Sequence, residues 1–257
     1  MASNDSIGKT FLVAFALCVV CSVVVSTAAV VLKPEQERNK TLDLKRNILA
    51  AAGMLQEEVP VDQQFAKVDT RVVDLRTGKF TSEVSPESYD QRKAAKDPAQ
   101  SKAVPAEEDI AKVIRREDYA KVYLVKDEAG NVERIILPVH GYGLWSTLYG
   151  FLALESDANT VIGLGFYEHG ETPGLGGEVD NPRWKAQWQG KKVYREDKVA
   201  LGLIKGIVDR NAPNAAYQID GLSGATLTSN GVTNLVHFWL GSEGFGPFIK
   251  NFKAGEA

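Results

Sequence analysis

The sequence predicts an α+β protein: a single N-terminal transmembrane helix followed by a domain in which an antiparallel sheet carries flanking helices. Three observations predict it. From Thr10 to Leu32 the chain holds no charged residue. Between Tyr119 and Tyr167, four strand-like runs follow one another across turn-sized gaps. Finally, Val232, Leu235, Val236 and Trp239 fall at i, i+3, i+4 and i+7, one apolar helical face.

The uncharged run is bracketed by Lys9 and Lys33. At about 1.5 Å per residue it crosses a hydrocarbon core roughly 30 Å thick. Thr27, Ala28 and Ala29 are small enough for a cleavage site, but a signal peptide's apolar region is typically about 7–15 residues, shorter than this one. We read an uncleaved anchor over 10–32, after a short segment 1–9. A membrane-proximal helix or linker, 33–60, and a domain, 61–257, follow. Within the linker, Ile48, Leu49, Ala52 and Leu55 keep helical spacing. The chain's two cysteines, Cys18 and Cys21, both lie in the anchor, so no disulfide framework holds the domain. We read them as packing side chains. Lys9 precedes the span, whereas Lys33, Arg38, Lys40, Lys45 and Arg46 follow it. Read literally, that bias places the domain in the cytoplasm, although the rule is weak for long domains. A net charge of -3 argues against a nucleic-acid partner.

The domain's elements follow in order. Val72–Leu75 is a short β-like run before a Thr77-Gly78 turn. Ser85 to Asp109, polar and punctuated by Pro86, Pro98 and Pro105, reads as a surface excursion. Tyr119–Lys126 and Val132–Val139 flank Asp127–Asn131, a hairpin signal. Leu144–Leu154 and Val161–Tyr167 complete the run of strands. Asn181–Lys191 reads as a short helix with Trp184 and Trp188 packed on the sheet. Val199–Val208 resembles a strand, and residues 211–215 a turn. Beyond the helix stop at Gly241, a glycine-rich tail closes the domain.

Three stretches carry candidate chemistry. Asp220–Thr226, a Gly/Ser-rich turn, opens the last amphipathic helix and sets free backbone N–H groups beside the hydroxyls of Ser223, Thr226 and Thr228. Helix starts of this kind attract anions. On spacing alone, Ser223 or Thr226 capping the helix is the commoner role, and Asp220 making an Asx turn is the ordinary one. Glu168–Gly177 packs four glycines and a proline into ten residues, a shaped loop with exposed backbone. In His140–Trp145, glycines permit close approach, and Trp145 either borders a flat ring or, by burial preference, joins the core. With three histidines and no cysteine in the domain, no His/Cys metal site is expected. His169 reads as polar surface and His237 as a packed or surface helix residue.

Asp220-x-x-Ser223-Gly224-Ala225-Thr226 resembles the flavinylation motif of bacterial FMN-binding domains. Glu171-Thr172-Pro173-Gly174-Leu175-Gly176 resembles the flavin-pocket loop of the same group. Together with 46–53, 90–96, 141–145 and the tail 241–248, these stretches make nearly the whole chain resemble the C-subunit family of Na+-translocating NADH:quinone oxidoreductases. The resemblance implies FMN joined to Thr226 by a phosphoester bond, installed by a Mg2+-dependent flavin transferase with FAD as donor. It implies a pocket of Asp220, Ser223, Gly224, Ala225, Glu171, Thr172, Gly174, Leu175, Gly176, Leu144 and Trp145. It implies a single-pass protein of the bacterial inner membrane with residues 1–9 cytoplasmic and a periplasmic main domain, against the local charge count. Its partners would be the other members of a complex of six subunits. An electron would arrive from an iron–sulfur centre held by the D and E subunits and leave to FMN on the B subunit, while NADH-to-ubiquinone flow drives Na+ export. No Gly-x-Gly-x-x-Gly follows a strand, so NADH is expected elsewhere and the chain is inactive alone. Two alternatives stand beside this reading: the G subunit of the Rnf electron-transport complex, and a membrane-tethered periplasmic module that holds a flavin or phosphate reversibly.

Overall fold

A computed structural model describes residues 6–257, so the first five residues of the expected segment 1–9 lie outside the described residues. Two compact units divide the chain, Met1–Asp43 and Leu44–Ala257. From Ile7 on, the first is helical and largely exposed, and its apolar stretch has the length and composition to cross a membrane. It belongs to α1 (Ile7–Ala51), whose last turns lie in the second unit. There Ile48, Leu49 and Ala51 are buried, as their helical spacing requires. Gly53, left-handed at φ 64°, follows the end of the helix, where a side chain would be strained.

The second unit continues with α2 (Val61–Phe65), β1 (Val68–Asp74), β2 (Lys79–Thr81), α3 (Gln91–Ala94), β3 (Ser101–Ala103) and β4 (Arg115–Glu117). Then come β5 (Tyr119–Lys126), β6 (Val132–Tyr142), β7 (Thr147–Glu155), β8 (Val161–Glu168) and α4 (Pro182–Lys185). Short strands β9 (Tyr194–Arg195), β10 (Lys198–Val199), β11 (Gly202–Leu203) and β12 (Gln218–Ile219) precede α5 (Thr226–Leu240) and α6 (Gly246–Ala254). The main sheet has six strands in the order β2-β1-β5-β6-β7-β8, every neighbour antiparallel. The expected antiparallel sheet is present, and β5 has the bounds expected of the run before the Asp127–Asn131 hairpin signal.

Alternation gives this sheet two unlike faces. Val122, Leu124, Ile135, Leu137, Val139, Leu148 and Leu152 point to one, beneath Val232, Leu235, Val236 and Trp239 of α5 and Phe248 of α6. Trp184 and Trp188 join this core. Each fully buried large side chain stabilises the fold by roughly 1.5–3 kcal/mol. On the other face, Tyr123, Ile136, Phe151 and Ala153 pack beneath Ile48, Ala51 and Ala52 of the α1 end, with Phe65 beside them.

Three expectations are corrected here. Val199–Val208 is no single strand: β10 pairs with β9, whereas β11 pairs in parallel with β12. The glycine-rich tail is no end: it turns and runs into helix α6, and Phe245 and Phe248 are fully buried; Gly244 and Gly246 let the chain fold back tightly against Trp239 and Gly241. The excursion 85–109 is only partly surface. Tyr89, Ala94 and Ser101 are buried, and the Tyr89 hydroxyl donates to the Tyr119 carbonyl at 2.7 Å.

Candidate functional site

The turn before α5 is fixed from inside. Leu222 is buried, and its N–H donates to Ser229 Oγ at 2.9 Å, while that hydroxyl donates to the Ala225 carbonyl at 3.1 Å. Gly224 is left-handed (φ 71°), and a Cβ there would lie 3.0 Å from Leu175 Cδ2. The glycine loop of 171–176 and the turn of 220–226 therefore touch. Ala225 is the N-cap and no side chain caps α5, so the capping role expected of Ser223 or Thr226 is not filled. Ser223, Gly224 and Thr226 are exposed. Among the described residues, the Thr226 hydroxyl and the amides of Thr226, Leu227 and Thr228 have no protein partner outside the helix. Open donors at the positive end of a fifteen-residue helix favour an anion there.

Glu171 holds the parts together. It is 5% exposed. One carboxylate oxygen, Oε1, accepts from the amides of Leu144 (3.0 Å), Trp145 (3.0 Å) and Ser146 (3.3 Å). The other, Oε2, accepts from the Thr228 hydroxyl at 2.6 Å. Burial alone would raise its pKa, but the bonds from Thr228, Trp145, Leu144 and Ser146 outweigh that and lower it, so the group is a carboxylate at neutral pH. A Cβ at either Gly143 or Gly176 would come 2.5 Å from this carboxylate, so both loops need a bare backbone here. Gly231 of α5 lets the helix meet the 142–143 backbone, where a Cβ would be 2.5 Å from the Tyr142 carbonyl.

The neighbouring polar residues have defined tasks. His169 Nε2 donates to Asp180 at 2.7 Å and its Nδ1 accepts from the Glu171 amide at 3.2 Å, which sets the tautomer. It is a largely buried brace and not the polar surface residue expected. Asp220 makes no Asx turn. Its carboxylate accepts from the Val208 amide at 2.7 Å, and its carbonyl accepts from Trp184 Nε1 at 3.0 Å. Leu144 and Trp145 precede β7, and Trp145 is 67% exposed, which overturns its core alternative. Thr172, Gly174 and Leu175 are exposed, whereas Gly176 and Ala225 are buried.

The geometry thus joins Glu171, Leu144, Trp145, Leu175 and Gly224 around the start of α5, while the Asp220 side chain points its bonds elsewhere. Ser146 and Ser229 were not among the predicted site residues, and Thr228 was expected only as a hydroxyl beside the turn, not as a donor to Glu171. Their partners lie at sequence separations from four to 57, and no local pattern announces the longer ones.

Comparison with known proteins bears on this site. The FMN-binding domain family matches residues 143–241, which encloses the glycine loop, the turn and α5. The C subunit of the Na+-translocating NADH-quinone reductase of Pseudomonas aeruginosa is 55% identical, with all of both chains covered. The protein of the same name from Vibrio vulnificus YJ016 is 51% identical over 99% of each chain. The crystal structure of Shewanella oneidensis NqrC superposes with a TM-score of 0.76 at 38% identity, covering 84% of this chain and 99% of that one. With end-to-end identity at this level, the chain belongs to the C-subunit family of Na+-translocating NADH-quinone reductases, oxidoreductase complexes in which it is one subunit.

Proposed function

We propose that this chain is the electron-carrying subunit that holds FMN through a phosphoester bond to Thr226. The single observation that carries the reading is the state of the α5 start: an exposed Thr226 hydroxyl beside open amides, on a turn whose inner face is fully bonded. These residues fit a flavin phosphate. The amides of Thr226, Leu227 and Thr228 would hold it, and exposed Trp145 and Leu175 would border the ring. Glu171 acts by fixing both walls, since its oxygens are already occupied by protein donors. Thr172, Gly174, Gly176, Ser223, Gly224 and Ala225 shape the backbone around that space, with Leu144 at its edge. Asp220 ties the preceding loop and would present the turn to a flavin transferase.

When bound, FMN supplies the redox chemistry, and the chain would then stand between the iron–sulfur centre of the D and E subunits and the FMN of the B subunit, in a complex that couples NADH oxidation to Na+ export. The N-terminal helix serves as a single-pass anchor in the bacterial inner membrane, with the main domain periplasmic. The relatives from Pseudomonas aeruginosa and Vibrio vulnificus support this place over that of the Rnf G subunit.

The test is intact mass and in-gel flavin fluorescence of denatured protein, made with and without a flavin transferase. The expected result is a fluorescent band one FMN heavier that disappears in Thr226→Ala. A dark, unshifted parent band in the presence of active transferase would overturn the ester and favour reversible anion binding.

A further inference from the structure

The less covered face of the sheet carries a second feature, independent of the flavin reading. Where the end of α1 covers it, this face is apolar. Beyond that cover, alternation puts Lys121, His140, Tyr149 and Tyr167 on the same side. These side chains and the segment 87–96 enclose a cleft of about 690 Å³. Small-molecule sites typically occupy about 300–1,000 Å³.

The walls are fastened. Arg92 lies 3.8 Å from the centre of the Tyr149 ring and grips Glu168 with two bonds, of 2.6 and 2.9 Å. His140, the register partner of Tyr149 on β6, stacks with it at 5.4 Å and 24°. Burial and then the Arg92 charge lower the His140 pKa to about 4, so this wall is an uncharged ring at neutral pH.

Charge around the cleft is unbalanced. Six cationic side chains line it (Arg92, Lys93, Lys96, Lys112, Arg115, Lys121) against three acidic ones, Glu87, Asp90 and Glu117, and Arg92 is already neutralised by Glu168. Asp90 is taken by Lys93 at 3.2 Å, Glu87 accepts from the Ser85 hydroxyl, and Glu117 is fully buried behind Gln91. Lys121 is half-buried, and no carboxylate among the described residues lies within ion-pair distance of it. Burial lowers its pKa, only partly offset by the more distant Asp90 and Glu87. A half-buried ammonium whose nearest carboxylates stand beyond ion-pair distance is only partly compensated. An incoming anion would complete that compensation.

We propose that this cleft binds a small organic anion bearing a flat ring, its carboxylate or phosphate drawn to Lys121 and Lys112 and its ring held among His140, Tyr149 and Tyr167. The charge excess selects an anion over a neutral ring, and the aromatic wall selects a ring-bearing anion over a bare one.

Calorimetric titration of the full chain in detergent tests this with four probes. Adenosine 5′-monophosphate and 4-hydroxybenzoate are the ring-bearing anions, adenosine the neutral ring, and inorganic phosphate the bare anion. At least one ring-bearing anion should bind saturably at about 1 mM or tighter, with both controls at least about tenfold weaker. Which of the two binds distinguishes a phosphate from a carboxylate ligand. Lys121→Gln should weaken that binding about tenfold, Tyr149→Ala should weaken it as well, and Lys250→Gln at an exposed position of α6 should leave it unchanged. Because Lys121→Gln keeps the side-chain bulk, it stays informative if Tyr149→Ala folds poorly. Absence of saturable heat from either ring-bearing anion, equal binding of inorganic phosphate, or full affinity in Lys121→Gln would overturn the proposal.

Discussion

Two buried glutamates in this domain meet opposite fates. Glu171 and Glu117 are 5% and 0% exposed, so desolvation penalises the charged form of each. Glu171 accepts from three amides and a hydroxyl, and its pKa falls below the usual carboxylate value. Glu117 is bonded by the Gln91 side chain at 2.5 Å, while its Oε2 has no partner. Burial then dominates, and the pKa rises to about 7. The number of donors, weighed against desolvation, decides whether a buried carboxyl keeps its charge. Where the charge is kept, it organises a site; where it is not, it is a liability that depends on pH.

The comparison can be broken in three ways. The largest effect is expected for Glu171→Ala, which strands three amides and the Thr228 hydroxyl in a buried place. Denaturant unfolding followed by tryptophan fluorescence should show a loss of about 4 kcal/mol, with Glu171→Gln intermediate. A loss under about 1 kcal/mol would mean that the clasp holds nothing.

Next in size is Glu117→Gln, whose sign is opposite. The folded protein binds this proton more tightly than the unfolded chain, with a pKa near 7 against 4.5. Stability contributed by that proton is present below pH 4.5 and is lost as pH rises to about 7. At about 1.36 kcal/mol per pKa unit, the parent forgoes roughly 3 kcal/mol at pH 8. Glu117→Gln should therefore be more stable than the parent by about that amount at pH 8, and equal to it near pH 4, in paired unfolding curves. An equal gain at both pH values would show that the shift does not exist.

Smallest is Thr228→Val, which removes one donor and keeps the shape. It should cost about 2 kcal/mol at pH 7. Because the Glu171 pKa is depressed, its stabilisation is lost as pH falls below 4.5; Thr228→Val should make that acid loss shallower in the same assay.

Sequence alone reached what short-range pattern encodes. Strand β5 emerged with its bounds because a β-like run, Tyr119–Lys126, ends at a clear turn signal, and α5 emerged because its apolar face repeats at helical spacing. Helix α6 was hidden by the glycines and proline at its start, which read equally well as a tail. In the site, the shaped loop and the exposed turn were legible from their glycines. The clasp itself was not: Glu171 reaches partners 25 to 57 residues away, and a glutamate in a loop reads as solvated until the fold buries it. The cleft was still less visible, because separate strands and an excursion supply its walls.

The turn before α5 also has a consequence for timing. Its inner bonds, from Leu222 to Ser229 and from Ser229 to Ala225, are complete without any added group, while Thr226 faces outward. On the proposed reading, maturation can therefore follow folding. A modifying enzyme would meet a finished surface, and an unfolded chain would offer it a different one. Loading at Thr226 would then double as quality control, marking only those copies in which the loop, the clasp and the helix have already come together.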